Sequence, residues 1–220
     1  MALSERLFQA YLTRSVRLRY GLHLPPGDPP PNGWPLIMFL HGTGERGDDV
    51  ARAARIGLPQ AIQSRPDFPS AVLVPVCPED TIWVYLLEAL HALLDAVLRD
   101  QPADPARVYL TGLSLGATGV WYLAMAHPER FAALAPVSGR GTGRTLLHRL
   151  KHTPVWAFHG AGDTVVPPAE SERMIEALRA IGGICRLTIY PDAGHDAWTA
   201  AYAEPELYRW LLGQRRTAGG

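Results

Sequence analysis

Arg107-Val108-Tyr109-Leu110-Thr111-Gly112-Leu113-Ser114-Leu115-Gly116 runs directly into a helical pattern, Ala117 to Ala126. The first five residues read as an apolar strand, and Gly112 to Gly116 spell Gly-x-Ser-x-Gly. A strand, a tight turn and a helix in that order give the motif its meaning. The serine is forced onto a sharp turn, and small residues on both sides let strand and helix pack closely, so its hydroxyl stands clear of the backbone. The free N–H groups at the start of the following helix favour developing negative charge. Ser114 is therefore the candidate nucleophile.

A serine nucleophile needs a base, and the base needs an orienting acid. The chain has eight histidines. His195 lies in Asp192-Ala193-Gly194-His195-Asp196, in a glycine loop after the strand-like run Cys185 to Tyr190, and loops of this kind carry catalytic side chains. His41 and His159 each precede a glycine at a strand end and read as loop-shaping residues. His23, His91, His127, His148 and His152 have polar or helical surroundings. His195 is the expected base.

The acid is expected at Asp163. A strand, Pro154 to Phe158, ends in His159-Gly160-Ala161-Gly162, and Asp163 follows before a helix begins near Ala169. Asp192 and Asp196 lie closer in sequence to His195, but a residue so near the histidine usually points elsewhere. The chain order is then Ser114, Asp163, His195. Leu36 to Leu40 is a continuous apolar run, as in a buried parallel strand. It ends in His41-Gly42-Thr43-Gly44-Glu45-Arg46-Gly47. A glycine loop there can turn backbone N–H groups toward the site, and the expected oxyanion donors are the amides of Thr43 and Leu115. No Gly-Lys-Ser/Thr ending marks it as a phosphate loop. Glu45 and Arg46 read as an ion pair shaping this loop or as a solvated pair.

These stretches, with Phe39 to Asp49, Pro154 to Gly160 and Tyr190 to Trp198, cover most of the chain. They resemble the α/β-hydrolase superfamily, and within it the small phospholipase/carboxylesterase and predicted-peptidase group related to dienelactone hydrolases. The resemblance implies an α/β-hydrolase fold with a mostly parallel central sheet, helices on both faces and no large lid. It also implies an esterase carrying Ser114, Asp163 and His195. Such proteins often have methionine and a second glycine around the elbow, where this chain has Leu115 and Ala117; the change bears on the shape of the acyl pocket. Dienelactone hydrolases themselves are expected to carry cysteine at the elbow, so Ser114 argues against that activity.

A chain of 220 residues is expected to form a single domain over residues 1–220. Its 47% hydrophobic content supplies a buried sheet, and 21 basic against 21 acidic residues leave no net charge. Nothing in that balance favours nucleic acid or an anionic membrane as a partner. Cys77 and Cys185 lack metal-ligand spacing and read as two free buried thiols, with a disulfide between them as the alternative. Met1 to Tyr20 carries Arg14, Arg17 and Arg19 without the apolar centre of a signal peptide. No apolar stretch approaches a membrane span, so a soluble cytoplasmic protein is expected.

Along the chain, Val16 to Tyr20 alternates as an antiparallel edge strand, and the proline-rich segment Pro25 to Gly33 reads as an exposed turn. Ala71 to Pro75 and Phe131 to Val137 read as strands. Leu86 to Arg99, Ser171 to Ile181 and Tyr202 to Arg215 read as helices, the second stopped by Gly182-Gly183. Trp198, Trp83 and Trp121 are candidates to line the substrate cleft, while Trp156 and Phe158 read as sheet core. The segment from Gly139 to His152 is too short and too polar for a lid, with only Leu146, Leu147 and Leu150 as an apolar face. The expected activity is hydrolysis of soluble short-acyl, small-molecule esters through an acyl-enzyme, with no metal or organic cofactor. The alternatives are a thioesterase, peptidase or acyltransferase with the same triad, or a non-catalytic binding protein on this scaffold.

Overall fold

The computed structural model describes residues 15–141 and 144–216. Arg14 and the rest of residues 1–14, and Thr142-Gly143 within the segment after β5, lie outside the described residues. Seven strands form one sheet: β1 (Tyr20–His23), β2 (Trp34–Leu40), β3 (Ala71–Pro75), β4 (Ala103–Leu113), β5 (Ala133–Val137), β6 (Val155–Gly160) and β7 (Cys185–Tyr190). Their order is β1-β3-β2-β4-β5-β6-β7. All neighbours are parallel except β1, which pairs antiparallel with β3 at the edge. The helices are α1 (Val50–Ala53), α2 (Gly57–Ile62), α3 (Leu87–Asp100), α4 (Leu115–Ala126), α5 (Ala169–Ala180), α6 (Trp198–Ala203) and α7 (Pro205–Gly213).

Continuous apolar strands make sense only if both faces of the sheet are covered, and they are. Leu36, Met38 and Leu40 point to one face and pack with residues of α3, α4 and α5. Ile37 and Phe39 point to the other face and pack with residues of α1, α2, α6 and α7. The period of two along β2 thus feeds two cores. Helix α4 is buried around most of its circumference, with Val120, Trp121, Leu123, Ala124 and Met125 at 1% exposure or less. That fits its nearly unbroken apolar sequence.

Strand order reverses between β2 and β4: the chain moves outward from β2 to β3, then returns to the far side of β2 with β4. In open parallel sheets, ligands sit in the crevice at the carboxyl ends of strands where the order reverses. Those ends here are Leu40, leading to Thr43, and Leu113, leading to Ser114.

Several element bounds move by a few residues, and three departures from the sequence reading are larger. The edge strand is Tyr20–His23, not Val16–Tyr20, although it is antiparallel and at the edge. Pairing starts at Tyr20 with Pro75 and continues upstream only through the Arg19 carbonyl, which accepts from the Val76 N–H at 2.8 Å. Beyond that, the chain after β3 turns away at Cys77 to bond with His41 and Gly47, so residues 16–18 have no strand partner there. The closing helix is two helices, α6 and α7, broken at Glu204-Pro205. Pro205 lacks an N–H and occupies the first turn of α7, and Glu204 before it is extended, with φ −74° and ψ 119°. Helices α1 and α2, absent from the sequence reading, are short; α1 is capped by Asp49, whose side chain accepts from the Ala51 N–H at 2.8 Å. No helix among the described residues is long and apolar enough to cross a membrane.

The glycines of the Gly-x-Ser-x-Gly motif are dictated by backbone approach. A Cβ on Gly116 would lie 1.9 Å from the Leu40 carbonyl oxygen, and one on Gly112 would lie 2.6 Å from the same atom. Both obstacles are backbone and cannot swing aside. Gly116→Ala should therefore cost about 3 kcal/mol or more in urea unfolding. Gly213→Ala, where nothing lies within 4 Å of the added carbon, should change stability by less than about 1 kcal/mol. Equal stability of the two variants would contradict the close approach of α4 to β2.

Candidate active site

Ser114 links β4 to α4 with φ 52° and ψ −115°, in the left-handed half of backbone space. A non-glycine residue there costs on the order of 1–3 kcal/mol and persists only where its surroundings hold it. Here the Ser114 N–H donates to the Val137 carbonyl at 2.9 Å, so strand pairing continues up to the turn. Its carbonyl accepts from the Thr118 N–H at 3.1 Å, the first bond of α4. The side chain is left partly exposed at the sheet's carboxyl edge.

The structure brings the three residues expected to act together into one chain of hydrogen bonds. His195 Nε2 is 2.9 Å from Ser114 Oγ, and His195 Nδ1 is 2.7 Å from Asp163 Oδ2. The imidazole is 21% exposed, while the Asp163 side chain is fully buried. Burial alone would raise the Asp163 carboxyl. Hydrogen bonds from His195 and from the N–H groups of Val166 and Val165, with the charge of His195, outweigh it and hold the carboxyl below its ordinary value. An ionised carboxylate only accepts, so Nδ1 of His195 carries the proton and Nε2 is free to accept from the serine hydroxyl. Asp192 and Asp196 are exposed; Asp196 instead accepts from Thr199.

The loops carrying acid and base are joined backbone to backbone. A Cβ on Gly160 would lie 2.0 Å from the Gly194 carbonyl oxygen, and the Gly162 N–H donates to the Ala193 carbonyl at 3.0 Å. His159, read from the sequence only as loop-shaping, contacts the acid itself. Its fully buried ring places Nε2 2.8 Å from the Val166 carbonyl and 3.1 Å from Asp163 Oδ2. A carbonyl cannot donate, so Nε2 carries a hydrogen shared between these two acceptors. Its Nδ1 lies 2.7 Å from Ser171 Oγ on α5. The signal for this role was the four-residue spacing to Asp163 across a glycine turn, which has no meaning until the turn is folded.

Thr43 opens a short 3-10 turn, Thr43–Glu45, and Leu115 is the first residue of α4. N–H groups at those positions have no partner within their own helix. The Gly42 backbone lies against Ser114: a Cβ there would sit 3.8 Å from the Ser114 Cβ. The loop is braced from behind. Arg46 donates to the carbonyls of Thr43, Glu79 and Thr81 at 3.1–3.3 Å. No ion pair joins Glu45 to Arg46 among the described residues; the guanidinium is spent on carbonyls instead.

Trp198 packs edge-on against His195, with ring centroids 5.2 Å apart, and is partly exposed. Trp83 and Trp121 are fully buried, so neither has a face open to a cleft. Trp83 Nε1–H donates to the His41 carbonyl at 2.9 Å and its ring packs edge-on against His41. It supports the Thr43 loop from within the core. Trp121 lies in the core on the α4 side of the sheet. Both cysteines are free thiols, Cys77 buried and Cys185 half-buried. Burial pushes the Cys77 thiol up to about 11.

The profile of the dienelactone hydrolase family matches residues 83–207, more than half of the 220 residues. The chain belongs to this family. A Salmonella typhimurium protein named as a carboxymethylenebutenolidase is 35% identical over 108 residues, which cover 45% of this chain and 39% of that protein. The chain thus spans about two fifths of the length of that relative. A Pseudomonas fluorescens poly(3-hydroxyoctanoate) depolymerase is 27% identical over 204 residues, covering 80% of this chain and 73% of that one. Among solved structures, a thermostable esterase superposes with a TM-score of 0.84 at 33% identity, covering 90% of this chain and 60% of that chain.

His41 gives the start of the loop after β2 a pH dependence. It is fully buried. Burial, helped by the charges of Arg52 and Arg46 and opposed by a hydrogen bond with the Gly42 carbonyl, lowers its pKa from 6.5 to about 4. The neutral ring accepts from the Cys77 N–H at Nε2. Because the folded value lies below the unfolded one, the contribution is fully present above 6.5 and is lost as pH falls toward 4. This one group should remove roughly 2–3 kcal/mol of stability between pH 7.5 and 4.5. His41→Gln should be less stable at pH 7.5 and should lack that increment of pH dependence. Urea unfolding at both pH values measures it, and an unchanged slope in the variant would count against the assignment.

Proposed function

We propose that this member of the dienelactone hydrolase family is a serine carboxylesterase acting through Ser114, His195 and Asp163. The observation that carries the reading is the unbroken chain Ser114 Oγ, His195 Nε2, His195 Nδ1 and Asp163 Oδ2, with steps of 2.9 and 2.7 Å. It lies beside two helix-initial amides. As Ser114 Oγ attacks the ester carbonyl, His195 Nε2 takes its proton. The carbonyl oxygen becomes an oxyanion held by the N–H groups of Thr43 and Leu115, each donor worth about 3 kcal/mol in the transition state. Asp163 stabilises the imidazolium without taking its proton. The tetrahedral species then collapses: the bond to the alcohol oxygen breaks, and His195 gives its proton to that oxygen. Water attacks the acyl-enzyme next. His195 removes the water's proton and returns it to Ser114 Oγ as the acid leaves. Serine at the elbow suits an ester or thioester, since its alkoxide is formed only as the proton moves to His195.

The cleft favours small, soluble substrates with short acyl groups. Of the three leucines expected as an apolar face after β5, Leu147 and Leu150 are spent on the core at 2% and 0% exposure, and only Leu146, 46% exposed, faces outward. That leaves little apolar surface to close over a long chain. The P. fluorescens relative's name gives a polyester of medium-chain hydroxyacids as what that protein acts on; for this chain the same reading would require productive binding of longer acyl groups.

A fluorophosphonate probe should add once per chain and map to Ser114. Ser114→Ala should keep the fold and lose the adduct, with turnover on aryl acetates falling by on the order of 10⁴–10⁶. His195→Ala should lose a comparable factor. An active Ser114→Ala protein, or an adduct at another serine, would sink the proposal.

Substrate size is tested separately. Across aryl esters from acetate to palmitate, kcat/KM should peak at short chains, since each methylene adds up to about 0.8 kcal/mol only where a wall buries it. A maximum at long chains would overturn the short-acyl reading and leave the triad assignment standing. Thioesters and anilides assayed beside the aryl acetates distinguish thioesterase and peptidase activity.

A further inference from the structure

We propose that Glu88, His91 and His127 form a binding site for a zinc-class divalent metal ion, clipping helix α3 to the C-terminal end of α4. One donor atom from each of these residues lies within 4.8 Å of the donors of the other two. The spacing has a simple origin. Glu88 and His91 are three residues apart on α3, so they share one face. His127 is the cap residue that ends α4, its N–H held by the Leu123 carbonyl at 2.9 Å. Helix packing delivers the third donor to the face carrying the first two.

The three side chains already meet. His127 Nε2 lies 3.3 Å from Glu88 Oε1, and the rings of His91 and His127 stack with centroids 3.9 Å apart and planes 10° from parallel. With metal–ligand bonds of about 2.0–2.1 Å, two tetrahedral ligands stand about 3.3 Å apart. The Glu88–His127 pair meets that span. The His91 donor already lies within 4.8 Å of the other two, and rotation of its partly exposed ring out of the stack is the movement that the proposed site requires. His91 Nε2 lies 3.9 Å from Asp95 Oδ2, and Asp95 is itself paired with Arg130. With His91 Nδ1 on the metal, the other nitrogen would face a carboxylate that is just outside hydrogen-bond reach here, and closing that gap would fix the tautomer as in metal-bound histidine.

The donor set selects the ion. Two imidazoles and one carboxylate suit zinc, nickel or copper, whereas magnesium and calcium require mostly oxygen ligands. Glu88 is 85% exposed and His127 only 14%, so ions enter from the Glu88 side and water completes the shell there. The site stands at the opposite end of α4 from Ser114, about 18 Å along a twelve-residue helix. Its effect is on the stability of the α3–α4 pair, not on the acyl chemistry.

The test uses protein freed of metal by chelation and dialysis. At pH 7.5, calorimetric titration with zinc sulfate should give one equivalent bound with a micromolar Kd, and the thermal midpoint should rise by several degrees. Magnesium at the same concentrations should do neither. Glu88→Gln, a change at an exposed side chain, should weaken zinc at least tenfold, and His91→Asn should do the same; both should keep the wild-type kcat/KM on aryl acetates. No zinc-dependent shift in the wild-type protein would overturn the site. So would undiminished zinc affinity in both variants, which would move the ion to other histidines or thiols.

Discussion

The backbone of α4 at Gly116 runs so close to β2 that a Cβ there would sit 1.9 Å from the Leu40 carbonyl oxygen. That contact sets where α4 can begin. Strand β4 lies in register beside β2, Gly112 opposite Leu40, and the chain has only Leu113 and Ser114 in which to leave the strand and enter a helix lying against Leu40. The turn is too tight for ordinary backbone angles, hence the positive φ at Ser114. The strain is offset by the Val137 and Thr118 bonds on either side. The same contact brings the end of β2 beside the start of α4, so the Gly42–Thr43 peptide and the Leu115 N–H flank one hydroxyl. Nucleophile and proposed oxyanion donors are two consequences of one packing distance.

The acid arm is fixed in a different way, by saturating a buried charge. Asp163 receives N–H donors from Val165 and Val166 on Oδ1, and from His159 and His195 on Oδ2. A buried carboxylate is costly unless its lone pairs are so occupied. With four donors it stays ionised and keeps one orientation. Of the four partners, His195 reaches Ser114; the others belong to the end of β6 and the loop that follows it. His159 extends the array to Ser171, so α5 and β6 hold the acid while β7 supplies the base. A carboxylate this well satisfied has little tendency to take the His195 proton, which in the proposed mechanism would keep the imidazolium as the charged partner.

Patterns that act within a few residues were legible in the sequence. Strands β3 and β7 lie where Ala71–Pro75 and Cys185–Tyr190 were read, because an apolar or alternating run bounded by turns is a local signal. The elbow was legible for the same reason. What was not legible depends on residues far apart in the chain. Trp83 and Trp121 look like cleft aromatics until α3 and α4 close over them. The edge strand slides by four residues because its register is set by β3, fifty residues away, and not by its own alternation. Pro205 did carry a local signal, and the apolar periodicity from Tyr202 onward masked it. Glu88, His91 and His127 share no motif, and only the packing of α3 on α4 makes them neighbours.

The loop after β2, which carries the proposed oxyanion donor Thr43, draws its support from residues elsewhere in the chain. A hydrogen-bond donor lowers a barrier only if it is aimed before the charge appears, yet Thr43 and Gly44 are exposed and would wander if left to themselves. Their anchors are all behind them. The His41 carbonyl is held by Trp83, and its ring accepts from Cys77 beyond the end of β3. Gly47 donates to the Cys77 carbonyl, and Arg46 ties the Thr43 carbonyl to those of Glu79 and Thr81. Each tie joins the β2 loop to the segment after β3, on the side of the loop away from β4. The loop is thus anchored where it meets the core and exposed at Thr43 and Gly44, and in the proposed mechanism its amides would need little reorganisation when negative charge develops on a bound carbonyl. The neutral state of His41 is part of that rigidity: a proton on Nε2 would turn the acceptor for Cys77 into a competing donor and loosen the brace from inside the core.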